Sequence, residues 1–422
     1  MQIPLCLFED PAVMEFGPLV QTRPFFNLLC GAFPLIEKIQ KRLACPVAAA
    51  WVRPELENLV ARDFPSLQVN QISWKDHPLW LLVNSRWLPP RSWAPPVQPQ
   101  IGLLKGSVVY LVAQPQQISH LENPCFPTGM KFSDSLLKEQ APGELLQYPW
   151  DLVEKNGLEI SEDAKEFDPP PMAPGKYQIQ GNPRNLLLFP GASVEPYVFF
   201  DCTSGPIIIE PGVKIKAFSR IDGPCFIGQG THLDGCKIKG GASIGRHCRV
   251  GGEIENSILH GFTNKYHEGF LGHSVIGEWV NFGAGTNNSD LRIDYKPVKV
   301  QMETGLVDSG KLKVGCFCGD HTKTAIGVQI NTGSNIGAFC QLLPGGLLPR
   351  FIPSFSMVDG QNISLRQDLP GILRSAAIAM GRRGVGCDEA RVGNYSRLFD
   401  QALKNCGKSS PAAGFFLRRQ SA

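Results

Sequence analysis

From residue 209 an aliphatic side chain recurs every six positions, at Ile209, Ile215, Ile221, Ile227 and Leu233. The series slips once and resumes at Ile238, Ile244 and Val250. A third stretch runs through Ile258, Phe270, Ile276 and Phe282, with Asn264 at the step where an aliphatic is missing, and a fourth gives Ile330, Ile336 and Leu342. Period six matches neither the 3.6-residue repeat of an amphipathic helix nor the alternation of a long strand. It predicts short strands separated by tight turns, each strand turning one aliphatic inward. Glycine often follows that aliphatic, as at Gly228, Gly245, Gly277 and Gly337, and relieves backbone strain at corners. Such units bury their apolar side only by stacking, so the pattern predicts a parallel β-helix over residues 177–360.

Two segments leave the period. Residues 288–313 are polar and rich in basic side chains, and read as a loop excursion from the prism. Long excursions on a rigid scaffold are common places for function. Beyond residue 361, Leu373, Ala376, Ala377 and Met380, then Tyr395, Leu398, Phe399 and Leu403, follow helical spacing and predict a short helical tail over 361–422. Its last dozen residues, with Ser409, Ser410 and Arg418-Arg419, are expected to fray.

Composition sharpens the division. Of 44 glycines, 26 lie between residues 201 and 350 and only 6 before residue 151, whereas six of the seven tryptophans precede 151. The chain therefore divides into a Trp- and Pro-rich N-terminal domain (1–176), the glycine-rich repeat and the tail. A net charge of +3 gives no reason to expect a nucleic-acid partner. Apolar runs fall short of the roughly 18–20 residues of a membrane helix. Met1–Asp10 has no basic start and carries Glu9 and Asp10, which predicts no signal peptide. The 13 cysteines form no CxxC pair, so reduced, buried thiols in a cytoplasmic protein are expected, and no metal site.

The densest chemistry lies in Asn264-Lys265-Tyr266-His267-Glu268-Gly269-Phe270-Leu271-Gly272-His273-Ser274-Val275-Ile276-Gly277, followed by Asn281-Phe282-Gly283-Ala284-Gly285-Thr286. Acetyl transfer to an amine needs a base with a pKa near the working pH, for which imidazole suits, and backbone N–H donors beside the developing oxyanion. His267 is the candidate base, and Gly283, Ala284 and Gly285 are the candidate donors.

These motifs resemble the acetyltransferase half of the bifunctional N-acetylglucosamine-1-phosphate uridylyltransferase / glucosamine-1-phosphate acetyltransferase family. That family carries a His before Leu-Gly and an Asn-Ile-Gly-Ala-Gly-Thr segment; His267 and Asn281–Thr286 match them. The resemblance implies a left-handed hexapeptide-repeat β-helix, acetyl-CoA as donor, His267 as general base and a homotrimer with sites between neighbours. Lys265, Asn264, Asn281 and Asn288 become substrate-binding candidates, as do Asp320, His321 and Lys323 in the Gly-Asp-His-Thr-Lys cluster. Thr332 and Gly333 become candidates for the pantetheine arm. Two departures stand out. The family's basic residues one coil earlier are replaced by a stretch with Glu253 and Glu255, and a family tyrosine is Phe270.

Residues 17–39, with Pro18-Leu19, Thr22-Arg23-Pro24 and Pro34-Leu35-Ile36-Glu37-Lys38, resemble the start of sugar-1-phosphate nucleotidyltransferases, and Leu79–Arg86 resembles that family's apolar strand ending in Asn-Gly-Asp. The resemblance implies a truncated α/β nucleotidyltransferase-like domain. The glycine-rich triphosphate loop is missing, the lysine after the proline is Phe25, and the metal-binding aspartate is Arg86. A cation there cannot hold Mg2+, which would be needed only if this domain were active. Arg23 and Lys38 are left as candidate anion-binding residues.

The resulting expectation is a transferase that acetylates an amino sugar phosphate or sugar nucleotide. Two alternatives stay open: a UDP- or dTDP-sugar pyrophosphorylase that oligomerises through its β-helix, and a non-catalytic sugar-nucleotide-binding scaffold.

Overall fold

The computed structural model describes residues 3–118, 136–168, 175–406 and 418–419. It divides into two compact units: Met1–Phe16, Thr22–Leu28 and Phe33–Tyr148 in the first, and Gly17–Gln21, Leu29–Ala32 and Pro149–Ala422 in the second.

The first unit is an α/β sheet of seven strands. Its centre is Leu5–Phe8, flanked in parallel by Val47–Trp51 and Trp80–Asn84, with Ser107–Ala113 antiparallel beyond the latter. Alternate residues of the central strands feed two separate cores. Leu5, Leu7, Leu81 and Val83 pack on one face, and Cys6, Phe8, Trp80 and Leu82 on the other. Near-continuous apolar strands of this kind are what a sheet covered on both faces requires. The helices Leu35–Leu43 and Glu57–Asp63 supply Ile36, Ile39, Leu59 and Val60 to the first core.

In the second unit the expected parallel β-helix is present. Three columns of parallel pairing run along it. One extends from Leu186–Leu188 to Phe351–Ile352 through nine strands. A second passes through Ser193, Lys214, His232, Arg249, Asn264, Asn281, Lys323, Gln341 and Met357. A third passes through Gln178, Phe199, Arg220, Lys237, Glu253 and Phe270. Each coil thus gives one short strand to each of three faces. The inward residues Ile209, Ile215, Ile221, Ile227, Leu233, Ile238, Ile244 and Val250 all lie in one core, as the period predicts.

Between residues 258 and 270 the phase differs from the sequence reading by one position, and from Ile276 onward Ile276, Phe282, Ile330, Ile336 and Leu342 are inward as read. The core takes Ile254, Leu259 and Leu271, not Ile258 and Phe270. At the step assigned to Asn264 the inward side chain is Lys265, which is 2% exposed. Its four methylenes replace the missing aliphatic, while its ammonium finds oxygen acceptors.

The turn preceding the second column puts one residue per coil into the left-handed region. Gly191, Gly212 and Gly230 occupy it first, then His247, Phe262, Trp279, His321, Phe339 and Phe355. These rings stack along the corner: Phe262 on Trp279 at 4.1 Å between centroids, His321 on Phe339 at 4.8 Å, and Phe339 on Phe355 at 4.9 Å. The tail helices Leu369–Gly381 and Glu389–Asn405 cover this ladder, bringing Ile372, Ala376, Tyr395 and Phe399 onto Phe339 and Phe355, and Met380 onto Phe262 and Trp279. Asp368 and Asp388 cap their N-termini by accepting from the Gly371 and Arg391 amides. Ser409 and Ser410 lie outside the described residues. Arg418–Arg419, expected to fray, instead forms a short strand parallel to Asn362–Leu365.

The 288–313 excursion is an antiparallel hairpin of Lys299–Met302 and Gly305–Asp308, with Val298, Val300 and Met302 buried.

Candidate functional site

His267 sits at the corner between the second and third columns, exposed to solvent. The turn that carries it is held from inside. Lys265 Nζ donates to the Gly251 carbonyl at 3.1 Å and to the His267 carbonyl at 2.7 Å. Burial pushes this ammonium down to about 8, against a smaller opposing pull from Glu268. Lys265 therefore faces the prism interior and fixes the His267 backbone; its ammonium does not point to solvent.

One coil on, the Gly283–Gly285 turn lies against the His267 turn, since the Gly285 amide donates to the Glu268 carbonyl at 2.9 Å. The Gly283 amide donates to Thr324 Oγ1 at 2.9 Å. Of the three proposed oxyanion donors, the Ala284 amide is the one without a partner among the described residues.

Earlier coils bring polar side chains to the same edge that sequence reasoning missed. Asp234 pairs with Lys216 at 3.1 Å, and the Tyr266 hydroxyl lies 3.5 Å from the Lys216 ammonium. The Asp234 carboxyl is held below its ordinary range, first by the Tyr266 hydroxyl and then by Lys216 and the nearby His267. The register was the available signal: Lys216 and Asp234 each lie two residues beyond paired Lys214 and His232, as Tyr266 does beyond Asn264.

A second overlooked pair lies at the next corner. His273 Nδ1 is 2.7 Å from Asp290 Oδ2, an imidazole oriented by a carboxylate, 17 residues on in sequence. Beside it the acidic replacement noted in the sequence is neutralised: Glu255 receives Lys313 at 2.9 Å and Lys239 at 3.1 Å.

Asn264, Asn281 and Lys323 come together on the second face, one per successive coil. Asn264 Nδ2 donates to Asn281 Oδ1 at 3.2 Å, and Arg383, from the end of the first tail helix, donates to Asn264 Oδ1 at 3.0 Å. With Arg382, Phe262 and Trp279 they line a cavity of about 240 Å³.

The remaining candidates hold structure together. Asn288 clamps the Gly272 peptide, accepting from its amide at 2.8 Å and donating to its carbonyl at 2.9 Å. Asp320 accepts the Glu278 amide at 2.8 Å, and His321 is buried in the ring ladder with its Nε2 3.2 Å from the Tyr395 hydroxyl. Thr332 bonds to Ser289 at 2.6 Å, and Gly333 packs beneath the excursion hairpin, where a Cβ would meet Val298 at 2.8 Å.

In the first unit Arg23 and Lys38 are both buried. The loops beyond the carboxyl ends of the parallel strands, where such sheets bind ligands, are occupied by ion pairs. Arg86 grips Asp10 with two hydrogen bonds of 2.8 and 2.5 Å and donates to the Leu146 carbonyl at 2.6 Å. Glu9 accepts from the Arg53 guanidinium at 3.0 Å and from the Phe25 amide at 2.7 Å. With both Asp10 oxygens taken by a guanidinium, these residues do not fit a Mg2+ ion. No cluster of metal-ligating side chains occurs among the described residues, and no helix there is long and apolar enough to cross a membrane.

Residues 5–168 match the family model described as sugar nucleotidyl transferase. The chain is 36% identical over 157 residues to a bifunctional sugar-1-phosphate nucleotidylyltransferase/acetyltransferase of Sulfurisphaera tokodaii, covering 35% of this chain and 37% of that relative. It is 28% identical over 179 residues to the putative uncharacterized acetyltransferase YaiX of Escherichia coli, covering 41% of this chain and 74% of that one. The chain thus spans little more than a third of the first relative's length. A solved UDP-N-acetylglucosamine acyltransferase is similar at 15% identity and a TM-score of 0.24, over 58% of this chain and 85% of its own. The resemblance to nucleotidyltransferase/acetyltransferase proteins read from the motifs is supported by both the family model and these relatives.

Proposed function

We propose that the protein transfers an acetyl group from acetyl-CoA to an amino sugar phosphate or sugar nucleotide at the His267 corner. The observation that carries this reading is an exposed imidazole on a turn fixed from within by Lys265. In the reaction His267 takes the proton of the amine as its nitrogen attacks the thioester carbonyl. The Ala284 amide donates to the oxyanion, the C–S bond breaks, and the thiol leaves with a proton. Lys216 and Tyr266 are placed to meet the acceptor. A homotrimer, with the neighbouring prism completing each site, fits an edge open to solvent. The buried free thiols fit a reducing, cytoplasmic setting. The first unit performs no Mg2+-dependent nucleotidyl transfer in this reading, because Arg86 holds Asp10.

Release of free thiol from acetyl-CoA across a panel of amino sugar phosphates tests the proposal. Turnover lost in His267→Ala is expected; full activity in that variant overturns it. One observation favours a second reading. The His273–Asp290 pair has the geometry of an oriented base, so loss of turnover in His273→Asn with His267→Asn still active would move the base there.

A further inference from the structure

Every polar side chain lining the second-face cavity is a cation or an amide. Lys323 and the tail residues Arg382 and Arg383 face Asn264 and Asn281 over the stacked Phe262 and Trp279, and among the described residues no carboxylate lines the space. The donors outnumber their partners. Lys323 Nζ makes a long bond, 3.4 Å to the His321 carbonyl. Arg383 Nε is buried without a hydrogen-bond partner, although the same guanidinium reaches Asn264. A further cation crowds from below, since Arg249 lies in the adjoining coil of the same column. Burial, and then neighbouring cations, push both Lys323 and Arg383 below their ordinary ranges.

Lys323 and Arg383 are half-buried and Arg382 is exposed, and like charges gathered at one partly desolvated place are costly unless a counter-charge arrives. A cavity that offers N–H donors and flat apolar walls, with no internal anion, is built for a ligand with several acceptor oxygens. We infer that this cavity binds a phosphoryl group, clamped between Lys323 on the prism and Arg382-Arg383 on the tail, with the aromatic pair against the group that carries it. Two sources share that chemistry: the phosphates of coenzyme A and the phosphate of the acceptor sugar. Only this choice of ligands rests on the acyltransferase reading; anion binding itself does not.

Calorimetric titration of the full chain with pyrophosphate, coenzyme A and glucosamine 1-phosphate tests the inference. Pyrophosphate is expected to bind, and Arg383→Gln and Lys323→Met are each expected to weaken it by roughly tenfold or more. Lys323→Met alters the prism rather than the tail, so it guards against a variant that merely loosens the tail helices. His267→Ala is expected to bind pyrophosphate like the parent protein, which separates failure of this site from failure of the catalytic proposal. Weakening of coenzyme A alone in the two variants identifies the cofactor as the source; weakening of the sugar phosphate alone identifies the acceptor. No pyrophosphate binding, or equal binding by parent and both variants, overturns the inference.

Discussion

The corner before the second column and the corner after it pose the same problem and solve it differently. Both need a left-handed residue in coil after coil. The first corner turns to aromatic rings after its third coil; the second starts with Tyr197 and Phe218 and then becomes glycine at Gly235, Gly252, Gly269, Gly285 and Gly327. A left-handed non-glycine residue costs roughly 1–2 kcal/mol. At the first corner ring stacking, about 0.5–1.5 kcal/mol per pair beyond burial, offsets that cost, and the stack gives the tail helices an apolar rail to dock on. At the second corner glycine avoids the cost, leaving open space at Gly235 and Gly327 and letting neighbouring backbone pack closely at Gly252 and Gly269. His267 stands at this second corner. In the proposed reading the two corners divide the labour between stability and chemistry.

Four substitutions would break or sharpen that division. His267→Ala should lower turnover by about 10²–10⁴ with no change in thermal midpoint, because the side chain is exposed; a parallel melt and thiol-release assay reads both. Phe339→Ala should destabilise by about 3–5 kcal/mol in a urea titration, since its ring packs on His321, Phe355 and Tyr395. Activity per folded molecule should survive.

Lys265→Met probes the strap beneath the second corner. Burial pushes the folded Lys265 ammonium down to about 8, from the 10.5 of a free lysine. Between those values the unfolded chain binds the extra proton, so stability rises as pH climbs from 8 to 10.5. The gap corresponds to about 3 kcal/mol at 1.36 kcal/mol per pH unit. Melting curves at pH 7.5 and 10 should show the parent gaining on Lys265→Met by most of that amount; ionisation of the unfolded cysteines lowers stability over the same range but is common to both proteins. Gly327→Ala, at φ +71° with open space around it, should cost only about 1–2 kcal/mol. A larger loss would mean that the second corner is not free of packing at Gly327.

The sequence made the β-helix legible because one inward aliphatic every six residues is a local, regular signal. It became hard to read where that rule gives way to a lysine: Lys265 has no apolar label, so the phase slipped onto Asn264. The aromatic ladder was hidden for a different reason. Its members recur at irregular intervals, and the excursion separates Trp279 from His321, so their adjacency exists only after coiling. His321 therefore read as a site residue, although it is a rung of the ladder. Arg382 and Arg383 were passed over because helical spacing in the tail reports what faces the core, not what the helix end reaches. Asn264, Asn281 and Lys323 were singled out from motifs, and the coil register explains why they meet: each is the same strand position in successive coils.

The interior cysteines of the prism have a use that its architecture alone provides. Cys202, Cys225, Cys236, Cys248, Cys316, Cys318 and Cys340 are spread along its length, all buried. Desolvation pushes each thiol up, to about 11 at Cys202 and Cys316 and to about 12 at Cys236, Cys248 and Cys340. A thiol so protonated is inert to alkylation until its coil opens. Mass-resolved labelling over time would then rank the coils by how often each one opens, from one end of the stack to the other, with the native cysteines as the reporters.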